Sequence, residues 1–239
     1  MSLKTKLIKS EEVAQDTMAF YFEKPEGFSY RAGQYAYFPF PKKRFWEKSL
    51  SHHFSFITAP HEEVIGFATR MRESQYKNRL KYLPLGSEIG IDGPYGEFVL
   101  PKDLVEAPFV FLAGGIGMTP VYSMIKEAIF ENFPGTIYFF YSNKRPETSA
   151  FLDELVSLAE NHSKIQFIPT MTGMEASDND WNGEKGYVTP GMIEKYVPDP
   201  KIARYYISGP FDMVKSMKDM VKSMDIPSAM VMLETFTGY

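Results

Sequence analysis

The sequence contains no cysteine, and this absence excludes several kinds of site. Disulfide bonds, a cysteine nucleophile, a zinc site with thiolate ligands and a cysteine-bound iron–sulfur cluster all need residues that this chain lacks. We therefore expect no metal site. A chain without disulfides is typical of a reducing compartment, so we expect a cytoplasmic location.

A basic surplus and long apolar runs are also missing. The 26 Lys and Arg residues are outnumbered by 30 Asp and Glu residues, and the formal net charge is −4. Nucleic-acid-binding proteins normally carry net positive charge, so this class is disfavoured. No segment approaches the ~18 consecutive apolar residues of a transmembrane helix, and the N-terminal residues contain no apolar stretch of signal-peptide type.

Aromatic residues are abundant at 15 %, within an otherwise ordinary globular composition. They indicate a core rich in β-sheet, and they also suit a flat ring ligand that stacks on aromatic side chains. Short runs bounded by Gly and Pro in the first hundred residues predict an antiparallel β-barrel or sandwich. The predicted strands are 17–23, 33–38, 53–58, 64–71 and 88–92, and a helix is predicted over 74–82 with Ser74 as its N-cap.

The pattern changes after residue 101, where apolar runs without alternation are separated by helical segments. Such runs are typical of strands that are buried on both faces of a parallel sheet. We predict an α/β domain with a doubly wound parallel sheet. The domain boundary is expected within 101–108, which gives domains 1–103 and 104–239. The predicted strands are 109–113, 136–142, 165–170, 205–208 and 229–234, and the predicted helices are 121–132, 150–160, 191–196 and 211–224.

A glycine-rich string lies between the first strand and the first helix of this domain. Glycines allow close approach of the backbone to a pyrophosphate, and the N–H groups that open the following helix face the phosphates. Thr119 is expected to cap that helix, and Pro120 suits its first turn. A plain glycine turn is the alternative. The predicted nucleotide contacts are Gly114, Gly115, Gly117, Met118, Thr119 and Pro120.

A second string, Ser208-Gly209-Pro210, follows another predicted strand of the same sheet. Ligands of doubly wound sheets bind beyond the carboxyl ends of the strands, and both strings lie at such ends. The alternative is a simple turn in which Ser208 is a helix cap.

These strings, with HHFS at 52–55, GPYG at 93–96 and ETFTGY at 234–239, resemble the ferredoxin–NADP reductase superfamily. The resemblance implies an N-terminal FAD-binding antiparallel β-barrel and a C-terminal NAD(P)-binding α/β domain, without a fused iron–sulfur domain. The implied activity is hydride transfer from NAD(P)H to FAD and electron transfer to an external acceptor.

The resemblance also implies a flavin site, with departures from the family pattern. His52 replaces the usual Arg and Phe54 the usual Tyr, as in the ferric reductase and NADPH oxidase branch. Phe54 would stack on the flavin, and His52 would contact the phosphates more weakly than Arg. Ser74-Gln75-Tyr76 resembles the pyrophosphate segment of cytochrome b5 reductases. Ordinary strand residues and a solvated strand end are the alternatives. The implied FAD contacts are His52, Phe54, Ser55, Thr69, Arg70, Met71, Arg72, Ser74, Phe236 and Tyr239.

The same resemblance assigns the catalytic residues Ser55, Ser208, Glu234 and Tyr239. Ser208 takes the place of the family's cysteine, and both serines and Glu234 would surround the flavin N5, where hydride arrives. Tyr239 would cover the flavin face until nicotinamide displaces it. Alternatively, Phe236 and Tyr239 only complete the last strand.

The loop that follows the second strand of the α/β domain is expected to contact the adenosine ribose of the nicotinamide cofactor. Ser142, Asn143, Lys144 and Arg145 are the predicted contacts, and the two cations could hold a 2′-phosphate. No acidic residue is expected beside them, so the loop favours NADPH, with NADH or a merely solvated turn as alternatives.

The electron acceptor is less defined by the sequence. The basic run 42–48, KKRFWEK, could dock an acidic carrier such as ferredoxin or flavodoxin, although most charged runs are solvated surfaces. The alternatives are a reductase of a small acceptor (ferric chelate, free flavin, quinone or oxygen) and a non-catalytic subunit that binds flavin or nucleotide.

Overall fold

The computed structural model describes residues 3–41, 50–101 and 106–236. The basic run 42–48 and Tyr239 lie outside the described residues, as do residues 102–105, which include the predicted domain boundary. That boundary, 103/104, therefore stays a prediction.

The first half of the chain forms one six-stranded antiparallel sheet in the order β4-β3-β6-β1-β2-β5. Its interior is a cluster of aromatic rings, including Phe20, Phe22, Phe38 and Phe67, all fully buried. The predicted aromatic core and antiparallel architecture are confirmed. The elements are β1 Leu3–Ala14, β2 Thr17–Glu23, β3 Tyr35–Tyr37, β4 His53–Ser55, β5 Val64–Arg70, α1 Gln75–Lys81 and β6 Glu88–Tyr95.

Strand β1 is the element that the sequence pattern misses. Its sequence, LKTKLIKSEEVA, is mostly polar and lacks regular alternation, and its pairing with β2 contains two register irregularities. It pairs with β6 on its other side. The polar sequence of β1 would be typical of an edge strand, yet β1 lies in the middle of the sheet. Its backbone N–H and C=O groups form hydrogen bonds with β2 on one side and β6 on the other, and these bonds stabilise it there.

The second half forms a parallel sheet in the order β10-β9-β8-β7-β11-β12. Alternate residues of β7 enter two separate cores: Phe109 and Phe111 pack in one, Val110 and Leu112 in the other. This two-sided burial explains the absence of alternation and confirms the doubly wound α/β prediction. The elements are β7 Phe109–Gly114, α2 Met118–Phe130, β8 Ile137–Asn143, α3 Leu152–Asn161, β9 Ile165–Met171, β10 Glu184–Lys185, α4 Pro190–Tyr196, β11 Arg204–Pro210, α5 Phe211–Ser223 and β12 Val231–Phe236.

The two halves contact each other through buried polar and apolar groups. The Ser123 hydroxyl of α2 donates to the Thr58 carbonyl at 2.6 Å, and the Tyr206 hydroxyl donates to the Val99 carbonyl at 3.2 Å. Ala19 and other residues of the first sheet belong to the same core cluster as α2. In the described parts of the chain, no helix is both long enough and apolar enough to cross a bilayer.

Candidate active site

The two glycine strings meet at the carboxyl edge of the parallel sheet. Strand β7 ends at Gly114, a single 3-10 turn Gly115–Gly117 follows, and α2 begins at Met118. A Cβ on Gly117 would lie 2.5 Å from the Gly209 Cα, so the two loops are in direct backbone contact. The Ser208 hydroxyl donates to the Gly117 carbonyl at 2.7 Å and fixes this contact.

Helix α2 begins at Met118, two residues earlier than a helix capped by Thr119 would begin. Thr119 lies inside the helix, and its hydroxyl donates to the Ile116 carbonyl at 3.0 Å. The prediction that Thr119 caps the helix was therefore wrong. The first turn of α2 is buried, including the side chains of Met118, Thr119 and Pro120. These side chains therefore pack beneath the backbone of the glycine loop, inside the protein.

Arg70, at the end of β5, lies over the glycine loop. Gly115 has a left-handed φ of 54°, and a Cβ at this position would lie 3.3 Å from the Arg70 Nη2. Glycine adopts this left-handed conformation at the least conformational cost. The cationic end of the barrel and the glycine loop of the second domain thus form the two walls of one cleft.

Three cations, Arg70, Arg72 and Lys77, converge on the barrel wall of this cleft. The Lys77 ammonium donates to the Arg70 carbonyl at 2.8 Å, and burial, together with the charge of Arg72, lowers the pKa of Lys77. Among the described residues, no carboxylate forms an ion pair with any of the three. The cleft is lined by His52, His53, Phe54, Ser55, Ala68, Thr69, Arg70, Arg72, Lys77, Ile116, Thr119 and Phe236.

Lys77 is a cleft residue that the sequence reasoning missed. It follows directly after the Ser-Gln-Tyr string, and Ser74 accepts a hydrogen bond from its backbone N–H, which confirms the predicted N-cap. Its position in the first turn of α1, at the helix end where an anion is expected to bind, could have indicated that Lys77 lies in the cleft. The remaining predicted barrel residue, Met71, packs against the aromatic core instead of lining the cleft.

Phe54 and His52, which both line the cleft, form a ring stack in the barrel wall. Phe54 is buried and stacks on Phe67, with ring centroids 4.1 Å apart, and His52 stacks on Phe54 at 4.7 Å. Phe54 therefore belongs mainly to the barrel core, and His52 is the more accessible ring of the two. The His52 Nδ1 donates to the His53 carbonyl at 2.9 Å, so the neutral ring has an accepting Nε2.

We expect His52→Arg to strengthen FAD binding by about tenfold, because a permanently charged guanidinium replaces an imidazole that, when neutral, presents an acceptor to the phosphates. Titration of the apoprotein with FAD, followed by flavin fluorescence, measures the effect. Lys81→Arg, on the exposed end of α1, is the control. Equal or weaker FAD affinity in His52→Arg would place the phosphates away from residue 52.

Ser55 and Glu234 lie in different domains, Ser55 on β4 of the barrel and Glu234 on β12 of the parallel sheet. Tyr35 pairs directly with Ser55, so both side chains lie on the same face of the barrel sheet. Burial, the neighbouring Tyr37 and the charge of Glu234 raise the pKa of Tyr35. Burial also raises the pKa of Glu234 to about 7.

The loop after β8 contains an acidic residue that contradicts part of the nicotinamide prediction. Glu147 pairs with Arg145, with the Arg145 Nε 3.1 Å from a Glu147 carboxylate oxygen, and Arg145 also donates to the Ala176 carbonyl. The expectation that no acidic residue lies there was wrong. Arg145 is already neutralised, whereas Lys144 is exposed.

At the carboxyl end of β8, Asn143 is buried and Ser142 is half-buried. Asn143 is 5 % exposed, and neither its side-chain nitrogen nor its oxygen has a hydrogen-bond partner among the described residues. The Tyr141 hydroxyl beside it donates to the Ala150 carbonyl instead. A nucleotide contact by the Asn143 amide stays a prediction. Ser142 is half-buried and pairs with Gly114, next to the glycine loop.

Two family models match consecutive parts of the chain. Residues 2–99 match an FAD-binding domain, and residues 111–219 match an oxidoreductase NAD-binding domain. The chain belongs to the ferredoxin–NADP reductase superfamily. Its barrel is the FAD-binding domain of this superfamily, and its parallel sheet is the NAD(P)-binding domain.

Similar proteins include larger reductases of this superfamily. One component of the Na⁺-translocating NADH-quinone reductase from Psychrobacter cryohalolentis is 29 % identical over 157 residues, which cover 64 % of this chain and 38 % of that protein. The reductase component of a propane 2-monooxygenase from Rhodococcus jostii is 24 % identical and covers 99 % of this chain and 64 % of that protein. The chain thus spans less than two thirds of either relative.

A solved structure supports the fold over nearly the whole chain. A ferredoxin NADP⁺ reductase from Neisseria gonorrhoeae with bound FAD and NADP has a TM-score of 0.83 and 19 % identity, and the match covers 98 % of each chain. Within this superfamily fold, the donor set of the cleft fits FAD. Three cations without a carboxylate partner among the described residues suit a pyrophosphate, and the glycine loop opposite them admits a close backbone approach.

Proposed function

We propose that the protein is an NAD(P)H-dependent FAD reductase that passes electrons to an external carrier protein such as ferredoxin or flavodoxin. The observation that carries this proposal is the single cleft between the cations of the barrel and the glycine loop of the second domain. Two similar proteins are named as reductase parts of larger systems, which supports an acceptor outside this chain.

FAD, when bound, supplies the acceptor for hydride from the nicotinamide. Arg70, Arg72 and Lys77 would hold its pyrophosphate, and His52 would lie beside the same group as a weaker contact than the arginine usual at this position. Ser208 is a positioning residue in this proposal, because its hydroxyl proton is already donated to Gly117. It keeps the two nucleotide loops in register with each other.

Ser55 and Glu234 are proposed to handle the proton that accompanies electron delivery. A hydride carries two electrons and a proton, so one-electron acceptors leave the proton behind. The carboxylate of Glu234, whose pKa lies at about 7, can accept this proton, and Ser55 can orient it by a hydrogen bond. Tyr239 stays a proposed cover of the flavin face.

The nucleotide preference is proposed to depend on Lys144, since Arg145 is paired with Glu147. We expect Lys144→Ala to lower kcat/KM for NADPH by about tenfold and to leave NADH unaffected, because only NADPH carries the 2′-phosphate. Lys201→Ala, an exposed lysine near the other end of the sheet, is the control. Equal losses with both nucleotides would assign Lys144 a role other than recognition of the 2′-phosphate.

An absorption spectrum followed during anaerobic titration with NADPH and then NADH tests the proposed function. We expect flavin bands that bleach on nucleotide addition and recover when oxidised ferredoxin or flavodoxin is supplied. Recovery with ferric chelate or quinone alone would favour a small acceptor. Purified protein that takes up no FAD would contradict the reductase proposal and favour a non-catalytic nucleotide-binding role.

A further inference from the structure

A second cavity lies between the domains, apart from the glycine loops. It has a volume of about 240 Å³ and is lined by residues of the barrel exit, β11 and the segment that leads into β12. Arg204 opens β11, whereas Ser208, which touches the glycine loop, is four residues further along the same strand. Four residues of β-strand span about 13 Å, so this cavity is separate from the nucleotide loops.

Two arginines face this cavity from different domains. The Arg31 guanidinium donates to the Leu100 carbonyl, and Arg204 is partly buried, with an enclosed Nε that has no hydrogen-bond partner among the described residues. Burial raises the pKa of the Tyr206 hydroxyl, and the charges of both arginines act in the opposite direction, which places both near this hydroxyl. In the part of the chain that the structure describes, neither guanidinium forms an ion pair.

The remaining cavity wall combines apolar groups with one exposed carboxylate. Val99, Leu100, Met230 and Met232 supply the apolar surface. Glu97 also lines the cavity, yet it does not pair with either arginine. Two guanidinium groups that have no ion pair among the described residues, beside methionine and aliphatic side chains, suit a ligand with an anionic head and an apolar body.

We propose that this cavity binds a small organic anion, namely a carboxylate with a short apolar tail. The carboxylate lies between Arg31 and Arg204 and gives the buried Nε of Arg204 an acceptor, and the tail lies against Met230 and Met232. Because the ligand contacts one arginine from each domain, its binding stabilises their present arrangement. This site is independent of the proposed reductase activity.

Isothermal titration of the purified protein with hexanoate tests the site. We expect saturable binding of one hexanoate per chain and an increase in Tm with hexanoate concentration. Hexanol, which lacks the charge, and inorganic phosphate, which lacks the tail, should each bind about tenfold more weakly or worse. No saturable binding of hexanoate, or binding of phosphate as tight as that of hexanoate, overturns the proposal.

Variants at Arg204 locate the binding. Arg204→Met should weaken hexanoate binding by about tenfold or more, and Lys218→Met, which removes a positive charge from the exposed face of α5, should leave it unchanged. Arg204→Lys keeps the positive charge and replaces Arg204→Met as the test variant if the methionine variant fails to fold. Arg204→Lys should bind hexanoate with an affinity between those of the unsubstituted protein and Arg204→Met. Glu97→Gln should tighten binding. Unchanged affinity in a folded Arg204 variant would contradict the assignment.

Discussion

Replacing Glu234 by glutamine is expected to slow electron delivery to ferricyanide by about a hundredfold at pH 8. The amide keeps the size of the side chain but accepts no proton. In the unsubstituted protein, the same rate should rise with pH around 7, because the carboxylate is the proton-accepting form and its pKa is about 7. Stopped-flow measurements from pH 6 to pH 8.5, on protein reduced beforehand with NADPH, give both rates.

The stability of the glutamine variant separates a proton-transfer role from a structural one. Folding raises the pKa of Glu234 from 4.5 to about 7, so the folded state binds the proton more tightly than the unfolded state. The contribution of Glu234 to stability is thus largest below pH 4.5 and is lost as the pH rises through 7. Glu234→Gln should therefore have the higher Tm at pH 8.5, and the difference should shrink toward pH 4.5.

Glu160→Gln, on the exposed side of α3, is the matched control, and it should change neither the rate nor Tm. If Glu234→Gln retained a rate that still rises around pH 7, another group would carry the proton. Retained FAD absorbance in the variant is required for this comparison, because a loss of cofactor would lower the rate for an unrelated reason.

Gly117→Ala is expected to disrupt the junction between the two nucleotide loops. The added Cβ would lie 2.5 Å from the Gly209 Cα and 2.8 Å from the Ser208 carbonyl oxygen, and both neighbours are backbone atoms with little room to move. Such overpacking costs about 1–3 kcal/mol and lowers Tm by about 2–4 °C for each kcal/mol. The displaced loop should also reduce kcat/KM for the nucleotide by at least about tenfold.

Gly191→Ala gives a matched control, because a Cβ at this position of α4 would meet no atom within 4 Å. Differential scanning calorimetry and NADPH-dependent flavin bleaching should show normal behaviour for this variant. An unchanged nucleotide KM in Gly117→Ala, despite a lower Tm, would mean that the loop contact supports the fold without shaping the nucleotide site.

The sequence by itself determined the two-domain plan and located the two glycine loops that meet at the edge of the parallel sheet. Alternating runs between Gly and Pro predicted the antiparallel strands, and uniform apolar runs predicted parallel strands with two buried faces. The glycine strings were recognisable because a side chain at residue 117 would collide with the backbone of the second loop, and because glycine adopts the left-handed φ of Gly115 at the least cost. Ser74 was recognisable because capping depends on local chain geometry alone.

Only the tertiary structure decided which distant charges meet, because sequence periodicity carries no information about pairing between elements. Burial beside the barrel raises the pKa of Glu234. The pairing of Arg145 with Glu147 depends on side-chain directions in a loop. Strand β1 forms because its neighbours satisfy a polar segment. Arg31 and Arg204 are far apart in sequence, and the packing of the two domains brings them to one cavity.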